Sequence, residues 1–128
     1  MSPPRLLFAA LGLAAAAYAL TAPAAEALIV VQRSPLAGFR HYEGREVWHE
    51  MRVGDRLELV RESDNPYDAS AIRVAWRGRK LGYLPRRDNA AVARQMDRGA
   101  ELEARITELK DSRNRRARLE FEVVVPLP

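Results

Sequence analysis

Apolar and charged residues alternate along several short segments of this chain. The alternation covers Arg56–Arg61, Ile72–Trp76, residues 102–106 and residues 119–125. Successive side chains of a β-strand point to opposite faces, so this pattern is typical of strands with one face buried and one face in water. Residues 28–32 form a compact apolar run, which also predicts a strand.

Turn residues separate these segments at short intervals. Residues 77–80 contain a glycine between charged residues and predict a tight turn, after which residues 80–84 pair back as the second strand of a hairpin. Residues 46–49 predict one more short strand. About six short strands with turn signals at close spacing favour a mainly β domain folded as a small barrel.

One segment has the spacing of a helix instead. Residues 89–98 place Val92 and Met96 four positions apart, on one face of a predicted short helix. Asp88 is the predicted N-cap, and Gly99 stands where a helix end favours a left-handed residue. The predicted fold is therefore a small barrel with one or two short helices.

The first residues of the chain differ from the rest. Arg5 precedes an apolar run over residues 6–20, and small residues follow at the spacing that signal peptidase requires. Cleavage after Ala24 or after Ala27 fits, and residues 1–24 are predicted to be a signal peptide that exports the protein to the periplasm or out of the cell. An uncleaved membrane anchor is the alternative, because the apolar stretch is about as long as a bilayer requires. The folded domain is expected over residues 28–128.

The composition excludes or disfavours several kinds of functional site. The chain has no cysteine, which excludes disulfides, thiol catalysis and thiolate metal sites. Its formal net charge of +4 permits nucleic-acid binding without requiring it. His41 and His49 are the only histidines, and two histidines without thiols give a metal site little support. A Gly-rich phosphate loop and a nucleophile–base pair are both missing, so neither a cofactor, a metal nor an enzymatic activity is expected.

Two turns carry the residues that are best suited to bind a ligand. Residues 65–68 have the sequence Asn-Pro-Tyr-Asp. Asn-Pro starts turns and an Asp carboxylate accepts backbone N–H groups in them, so a structural interpretation is a turn with Tyr67 half-buried at the barrel rim. The second turn presents Tyr83 and Arg86, for which the structural interpretation is a solvated basic hairpin end.

Together with the upstream segment Gly38-Phe39-Arg40-His41-Tyr42, these two turns resemble the HIRAN domain. The resemblance covers roughly residues 28–127. The best-known members of that family stand at the front of Swi/Snf-type DNA-remodelling ATPases, as OB-like barrels that capture the 3′-hydroxyl end of single-stranded DNA. The resemblance therefore implies an OB-like barrel and a single-stranded DNA partner. Small stand-alone bacterial members also exist, and this chain resembles those most.

The resemblance also implies roles for single residues. Tyr67 corresponds to a tyrosine that stacks on the terminal base. Asp68 corresponds to an aspartate that accepts a hydrogen bond from the terminal 3′-hydroxyl and repels an added phosphate. Arg40 matches a phosphate contact, and His41 stands where end-binding members have a tyrosine that sandwiches a base. Tyr42, beside them, is expected to pack in the core.

The remaining residues of the predicted DNA-binding set lie in the same turns. By the same resemblance, Tyr83 lies beside the terminal nucleotide and Arg86 meets a phosphate. Asn65, at the start of the first turn, completes the set.

Two alternatives remain open from the sequence. The export signal favours an extracytoplasmic interaction domain that uses the same groove for a peptide, a glycan or an envelope partner. A nuclease would need carboxylates grouped around a metal, and Asp64 and Asp68 are the candidates that share a turn.

Overall fold

The computed structural model of the chain describes residues 28–111 and 117–127. The predicted signal peptide, residues 1–24, lies outside the described residues. In the described part of the chain, no helix has the length and apolar character needed to cross a membrane.

The described residues form six strands, all paired antiparallel in one sheet of order β1-β6-β5-β2-β3-β4. The prediction of a mainly β fold with about six strands is therefore confirmed. The strands are β1 (Leu28–Pro35), β2 (Arg56–Arg61), β3 (Ile72–Trp76), β4 (Arg79–Tyr83), β5 (Glu103–Asp111) and β6 (Ala117–Pro126).

The sheet is not closed into a barrel, so the expectation of an OB-like barrel is not confirmed. Strands β1 and β4 are its two edges, and they meet through the segment that follows β1. There Ala37 and Tyr83 exchange two backbone hydrogen bonds of 2.9 Å in a single bridge. Continued pairing is prevented on both sides of this bridge, because Pro35 has no N–H to donate and the chain enters a 3-10 helix at Phe39–His41.

The apolar stripes predicted from the sequence form the core. Alternate residues of β3, β5 and β6 point to the same side of the sheet and are almost fully buried, and Trp76 is buried among them as predicted. Its indole Nε1 donates to Asp55 Oδ2 at 3.0 Å, which satisfies the one polar atom of the ring. The largest fully buried side chains include Met51, Leu57, Ile72, Val74, Leu81, Leu84, Val92, Ile106, Leu119, Phe121 and Val123.

The predicted helix is present as α2 (Ala90–Asp97). Val92 is buried and Met96 is packed against the core, in agreement with the predicted face. Gly99 has φ +91°, its N–H donates to Met96, and the N–H of Ala100 donates to Gln95, which together form a Schellman cap.

The predicted N-cap of that helix is wrong. Asn89, not Asp88, occupies the cap position, and its side chain makes no capping hydrogen bond. Asp88 belongs instead to a 3-10 helix over Arg86–Asp88. The side chain of Asn89 instead donates a hydrogen bond to Asp68.

The strand predicted at residues 46–49 is also wrong, because residues 46 and 47 belong to the one-turn helix α1 (Gly44–Val47) and residues 48–50 to the turn after it. Phe39 lies directly against Gly44, where an added Cβ would come 2.1 Å from the Phe39 ring. The Phe39 ring also meets Trp48 edge-on at 5.4 Å, so tertiary packing rather than local preference determines this segment.

Candidate nucleic-acid interface

The turn over residues 65–68 is shaped by its own polar side chains. Asn65 Oδ1 accepts the backbone N–H groups of Tyr67 at 2.9 Å and Asp68 at 3.2 Å. Asp68 Oδ1 in turn accepts the N–H of Ser70 at 2.9 Å. These are Asx-type turns, and they explain why Asn, Pro and Asp occur in this order.

Tyr67 lies at the tip of this turn and is 85% exposed. The structural interpretation, a half-buried ring covering a rim, is therefore wrong. The backbone of the tip is fixed from the second turn, since Arg86 Nη2 donates to the Tyr67 carbonyl oxygen at 3.0 Å. The two turns singled out from the sequence thus lie in direct contact.

Asp68 is half-buried and held on two sides. Besides the Ser70 contact, its Oδ2 accepts from Asn89 Nδ2 at 2.7 Å, and Asn89 is 2% exposed. A carboxylate has two lone pairs on each oxygen, so both oxygens of Asp68 retain acceptor capacity after these bonds. The position of Asp68 is therefore set by the fold, while a ligand hydroxyl can still donate to it.

Residues of both turns line a cleft of about 500 Å³. Of the seven residues predicted to bind DNA, five line this cleft, namely Asn65, Tyr67, Asp68, Tyr83 and Arg86. Its other lining residues are Ala37, Tyr42, Pro66, Ala71, Lys80 and Leu84.

Arg40 and His41 do not line the cleft. Both are exposed on the 3-10 helix Phe39–His41, where Arg40 Nε lies 3.4 Å from His41 Nε2. The next residue, Tyr42, does line the cleft and is not part of the core cluster that the sequence predicted for it. The structure therefore places the predicted Arg-His pair beside the cleft rather than inside it.

Lys80 also lines the cleft, although it is not among the residues predicted from the sequence. Its ammonium lies 4.1 Å from the centroid of the Tyr42 ring and 4.7 Å from that of Tyr83, and it donates to the Tyr83 hydroxyl at 2.8 Å. The two rings meet edge-on, with centroids 5.8 Å apart. Tyr42, Lys80 and Tyr83 thus form a cluster, called here the tyrosine–lysine cluster.

An irregularity of β4 explains why this cluster is hidden in the sequence. Residues 80 and 83 of a regular strand point to opposite faces. In the hairpin, however, Gly82 pairs with Val74 and Lys80 pairs with Ala75, so Leu81 is an extra residue in a β-bulge. The bulge shifts the alternation by one position and brings Lys80 and Tyr83 to the same face.

Glu62 connects the tyrosine–lysine cluster to the Asn65 turn. Its Oε1 accepts from the Tyr83 hydroxyl at 2.9 Å and from Asn65 Nδ2 at 3.1 Å. Burial by itself would raise the pKa of the Glu62 carboxyl, but these two hydrogen bonds and the nearby Lys80 and Arg73 hold the pKa below its ordinary value of 4.5. A charged carboxylate therefore forms hydrogen bonds with residues of both turns.

Within residues 28–111 and 117–127, no group of three His, Asp or Glu side chains is placed to hold a metal ion. Asp64 and Asp68, the pair considered for a nuclease, therefore belong to no such group in that described part.

Comparisons with known proteins found a matching family and similar solved structures. The model of the HIRAN domain matches residues 29–128. A crystal structure of a protein from Lactobacillus plantarum is similar with a TM-score of 0.68 and 32% identity, over 77% of this chain and 95% of that one. No curated protein matches.

The crystal structure of the HIRAN domain of human HLTF is similar with a TM-score of 0.58 and 25% identity, over 73% of this chain and 72% of that one. Because the family match extends over most of the chain and includes every residue of the cleft, the resemblance noted in the turn segments is confirmed. This chain belongs to the HIRAN domain family.

Proposed function

We propose that this domain binds single-stranded DNA in the cleft between its two turns and recognises a free 3′-hydroxyl end there. The observation that carries the proposal is the 85% exposure of Tyr67 at the edge of a cleft that also contains Lys80 and Arg86. A ring left in water beside two cations is an arrangement suited to a flat, anionic ligand such as a nucleotide.

Stacking of a base on Tyr67 would supply the sequence-independent part of the affinity. Such stacking contributes about 1–3 kcal/mol per base. Arg86 would add a phosphate contact, and its guanidinium already lies at the backbone of the stacking residue, because it donates to the Tyr67 carbonyl oxygen. The affinity is expected to fall as salt rises, since phosphate contacts release counterions.

Asp68 would supply the preference for a free end. A terminal 3′-hydroxyl can donate to its carboxylate, whereas a 3′-phosphate or a continuing strand brings negative charge against it. Asn89 and the N–H of Ser70 keep this carboxylate from turning away, so repulsion cannot be relieved by a change of rotamer.

Arg40 and His41 would act outside the cleft. They lie on the 3-10 helix that leads to Tyr42, so a strand leaving the cleft past Tyr42 would run over them. In the part of the strand outside the cleft, Arg40 is suited to contact a phosphate and His41 to contact a base. The proposed role is binding, with no chemical step.

The test is fluorescence anisotropy with a short labelled strand that ends in a 3′-hydroxyl or a 3′-phosphate, using the parent and Asp68→Asn. The parent is expected to prefer the hydroxyl end by at least about tenfold, which corresponds to 1.4 kcal/mol. Asp68→Asn removes the charge and retains the size of the side chain, so the two strands should then bind alike.

Two controls separate the cleft from the rest of the surface. Arg56→Ala removes an exposed arginine that is paired with Glu103 and lies outside the cleft, and it should leave both affinities unchanged. Thermal unfolding checks that each variant is folded. Binding of neither strand at low salt by the folded parent would refute the proposed function.

A further inference from the structure

The Lys80 ammonium is held in place more firmly than a surface lysine. It lies against the faces of the Tyr42 and Tyr83 rings, and a hydrogen bond to the Tyr83 hydroxyl fixes its direction. Lysine side chains normally keep about 2 kcal/mol of rotamer entropy in solution, which a ligand must overcome. Here the fold has already restricted this freedom.

The charge of Lys80 is not neutralised by direct contact. Its hydrogen-bond partner is a neutral hydroxyl, and within the described residues Lys80 forms no ion pair with a carboxylate. The neighbouring Arg79 differs, since it pairs with both Glu43 and Glu46. Glu62 forms no ion pair with Lys80; it accepts from the same Tyr83 hydroxyl, and its charge acts on Lys80 from that distance.

Lys80 stays protonated in this position. Burial by itself would lower its pKa, but the Tyr83 hydrogen bond and the surrounding groups raise the pKa above its ordinary value of 10.5. An ammonium has three N–H donors, and in the described part of the chain one of them is used, by Tyr83. The cleft thus contains a fixed positive charge with donors available to a ligand.

The same geometry limits what the two rings can do. A ring face that is covered by an ammonium is not open to a base, so Tyr42 and Tyr83 are poor stacking platforms on the faces that hold Lys80. Tyr67 is the exposed ring of the cleft. The rings therefore divide into one that can stack and two that hold a cation.

We propose that the tyrosine–lysine cluster is an anion subsite in which Lys80 binds a phosphate oxygen of the strand, at the linkage next to the terminal nucleotide. This inference rests on the proposed function, which it extends by one specificity-determining residue. The shared chemistry is a phosphate oxygen, which a phosphodiester, a terminal phosphate or inorganic phosphate could supply.

The chain offers a direct measurement because Lys80 and Lys110 are its only lysines. Lysine-selective 13C labelling of the unmodified protein should give two sets of side-chain signals. The Lys80 signals are expected upfield of those of Lys110, since they lie over two rings, whereas Lys110 is exposed and paired with Glu108. Addition of the strand should shift the Lys80 signals and leave those of Lys110 unchanged.

A matched pair of variants measures the contribution to binding. Lys80→Met should weaken binding of the 3′-hydroxyl strand about tenfold and reduce the salt slope, d log K/d log[salt], by about 0.7, the value for one phosphate contact of a single strand. Lys110→Met removes the other lysine and should change neither quantity. A strand with a neutral methylphosphonate at its last linkage should bind the parent and Lys80→Met with equal affinity.

The outcomes distinguish this subsite from the proposed function. If the strand binds but the Lys80 signals stay in place and Lys80→Met keeps the parent's affinity and salt slope, the subsite is disproved while the function stands. If the strand does not bind, a titration with inorganic phosphate decides: a shift confined to Lys80 supports an anion subsite, and no shift disproves it. If Lys80 had only a structural role, Lys80→Met would be less stable than the parent. It would then also bind the methylphosphonate strand with a different affinity from the parent.

Discussion

At the residue scale, the cleft separates side chains that stabilise the fold from side chains that are available to a ligand. Asn65 directs its amide oxygen to two backbone N–H groups and its amide nitrogen to Glu62, so its side chain stabilises the turn. Tyr67 is the opposite case, with its ring in water and only its backbone engaged.

Tyr67→Ala should therefore weaken strand binding without affecting stability. Loss of one stacked base predicts about 1–3 kcal/mol of binding free energy, or roughly a 5- to 150-fold higher Kd. Anisotropy measures the affinity and a denaturant titration measures the free energy of unfolding. Val53→Ala truncates another exposed apolar side chain, 63% exposed and outside the cleft, and should leave the affinity unchanged. Equal affinity of Tyr67→Ala and the parent would show that the ring is not used.

Glu62 gives the domain an acid-dependent component of stability. Its pKa is lower in the folded state than its ordinary value of 4.5, so its charged form stabilises the fold above pH 4.5. This contribution is lost as the pH falls below 4.5 and through the folded-state pKa. In Glu62→Gln the free energy of unfolding should depend less on pH in that range than in the parent.

Denaturant titrations from pH 7 downwards test this prediction. Glu101→Gln, which changes an exposed carboxylate outside the cleft, serves as the control and should follow the parent. Parallel pH profiles for Glu62→Gln and the parent would contradict the role given to the Tyr83 and Asn65 hydrogen bonds.

At the element scale, strand β4 determines the shape of the cleft. Its bulge turns Lys80 and Tyr83 to one face, and Gly82 lets the Ala37 segment approach the strand. A Cβ at position 82 would lie 2.2 Å from the Ala37 carbonyl oxygen, a backbone atom that cannot move without breaking the bridge.

Gly82→Ala should accordingly destabilise the domain by about 1–3 kcal/mol, as forced overpacking does. It should also weaken strand binding, because Tyr83 follows directly. Gly78→Ala is the matched control: position 78 has φ +77° and open space, so only the backbone penalty of about 1–2 kcal/mol applies and binding should be kept. Chemical denaturation and anisotropy of both variants provide the comparison. A Gly82→Ala variant as stable as the parent would mean that the bridge does not constrain β4.

The sequence could predict those elements whose local pattern and tertiary environment agree. The alternation in Ile72–Trp76 and the spacing of Val92 and Met96 report the buried faces directly. The strand predicted at residues 46–49 was wrong because the contact of Phe39 with Gly44 overrides strand propensity. Lys80 could not be predicted, because a bulge reverses the alternation of the strand and because Tyr42, whose ring it contacts, is distant in sequence.

The same distinction applies to the candidate site. Asn65, Tyr67 and Asp68 are adjacent in the chain, so a motif identifies them together. Asn89 and Glu62 hold that turn from distant positions, and only the fold brings them into contact.

At the scale of the whole molecule, the formal net charge of +4 is too small to drive strong nonspecific binding. Affinity should instead depend on a few placed cations. Arg86→Ala should weaken binding of 3′-hydroxyl and 3′-phosphate strands by the same factor and reduce the salt slope by about 0.7. Anisotropy between about 50 and 200 mM salt measures this slope, with Arg56→Ala as control. An unchanged slope would place Arg86 outside the phosphate path.

The location of the protein decides which strands it meets. We propose that residues 1–24 direct export, so that extracellular or imported DNA would be the ligand. A fusion of the whole chain to a reporter active only in the periplasm should be active, and a fusion that starts at residue 28 should not. Activity of neither fusion would mean that the first segment does not export the protein.

The bridge between Ala37 and Tyr83 has a consequence for the thermodynamics of recognition. Tyr83 is bonded through its main chain to Ala37 and through its hydroxyl to Glu62 and Lys80, so this wall has little conformational entropy left to lose. The conformational entropy lost on binding is instead that of the Tyr67 side chain, which costs about 0.5–1.5 kcal/mol for one immobilised group. Tighter binders are therefore to be sought by stiffening the tip around Tyr67, because the opposite wall is already preorganised.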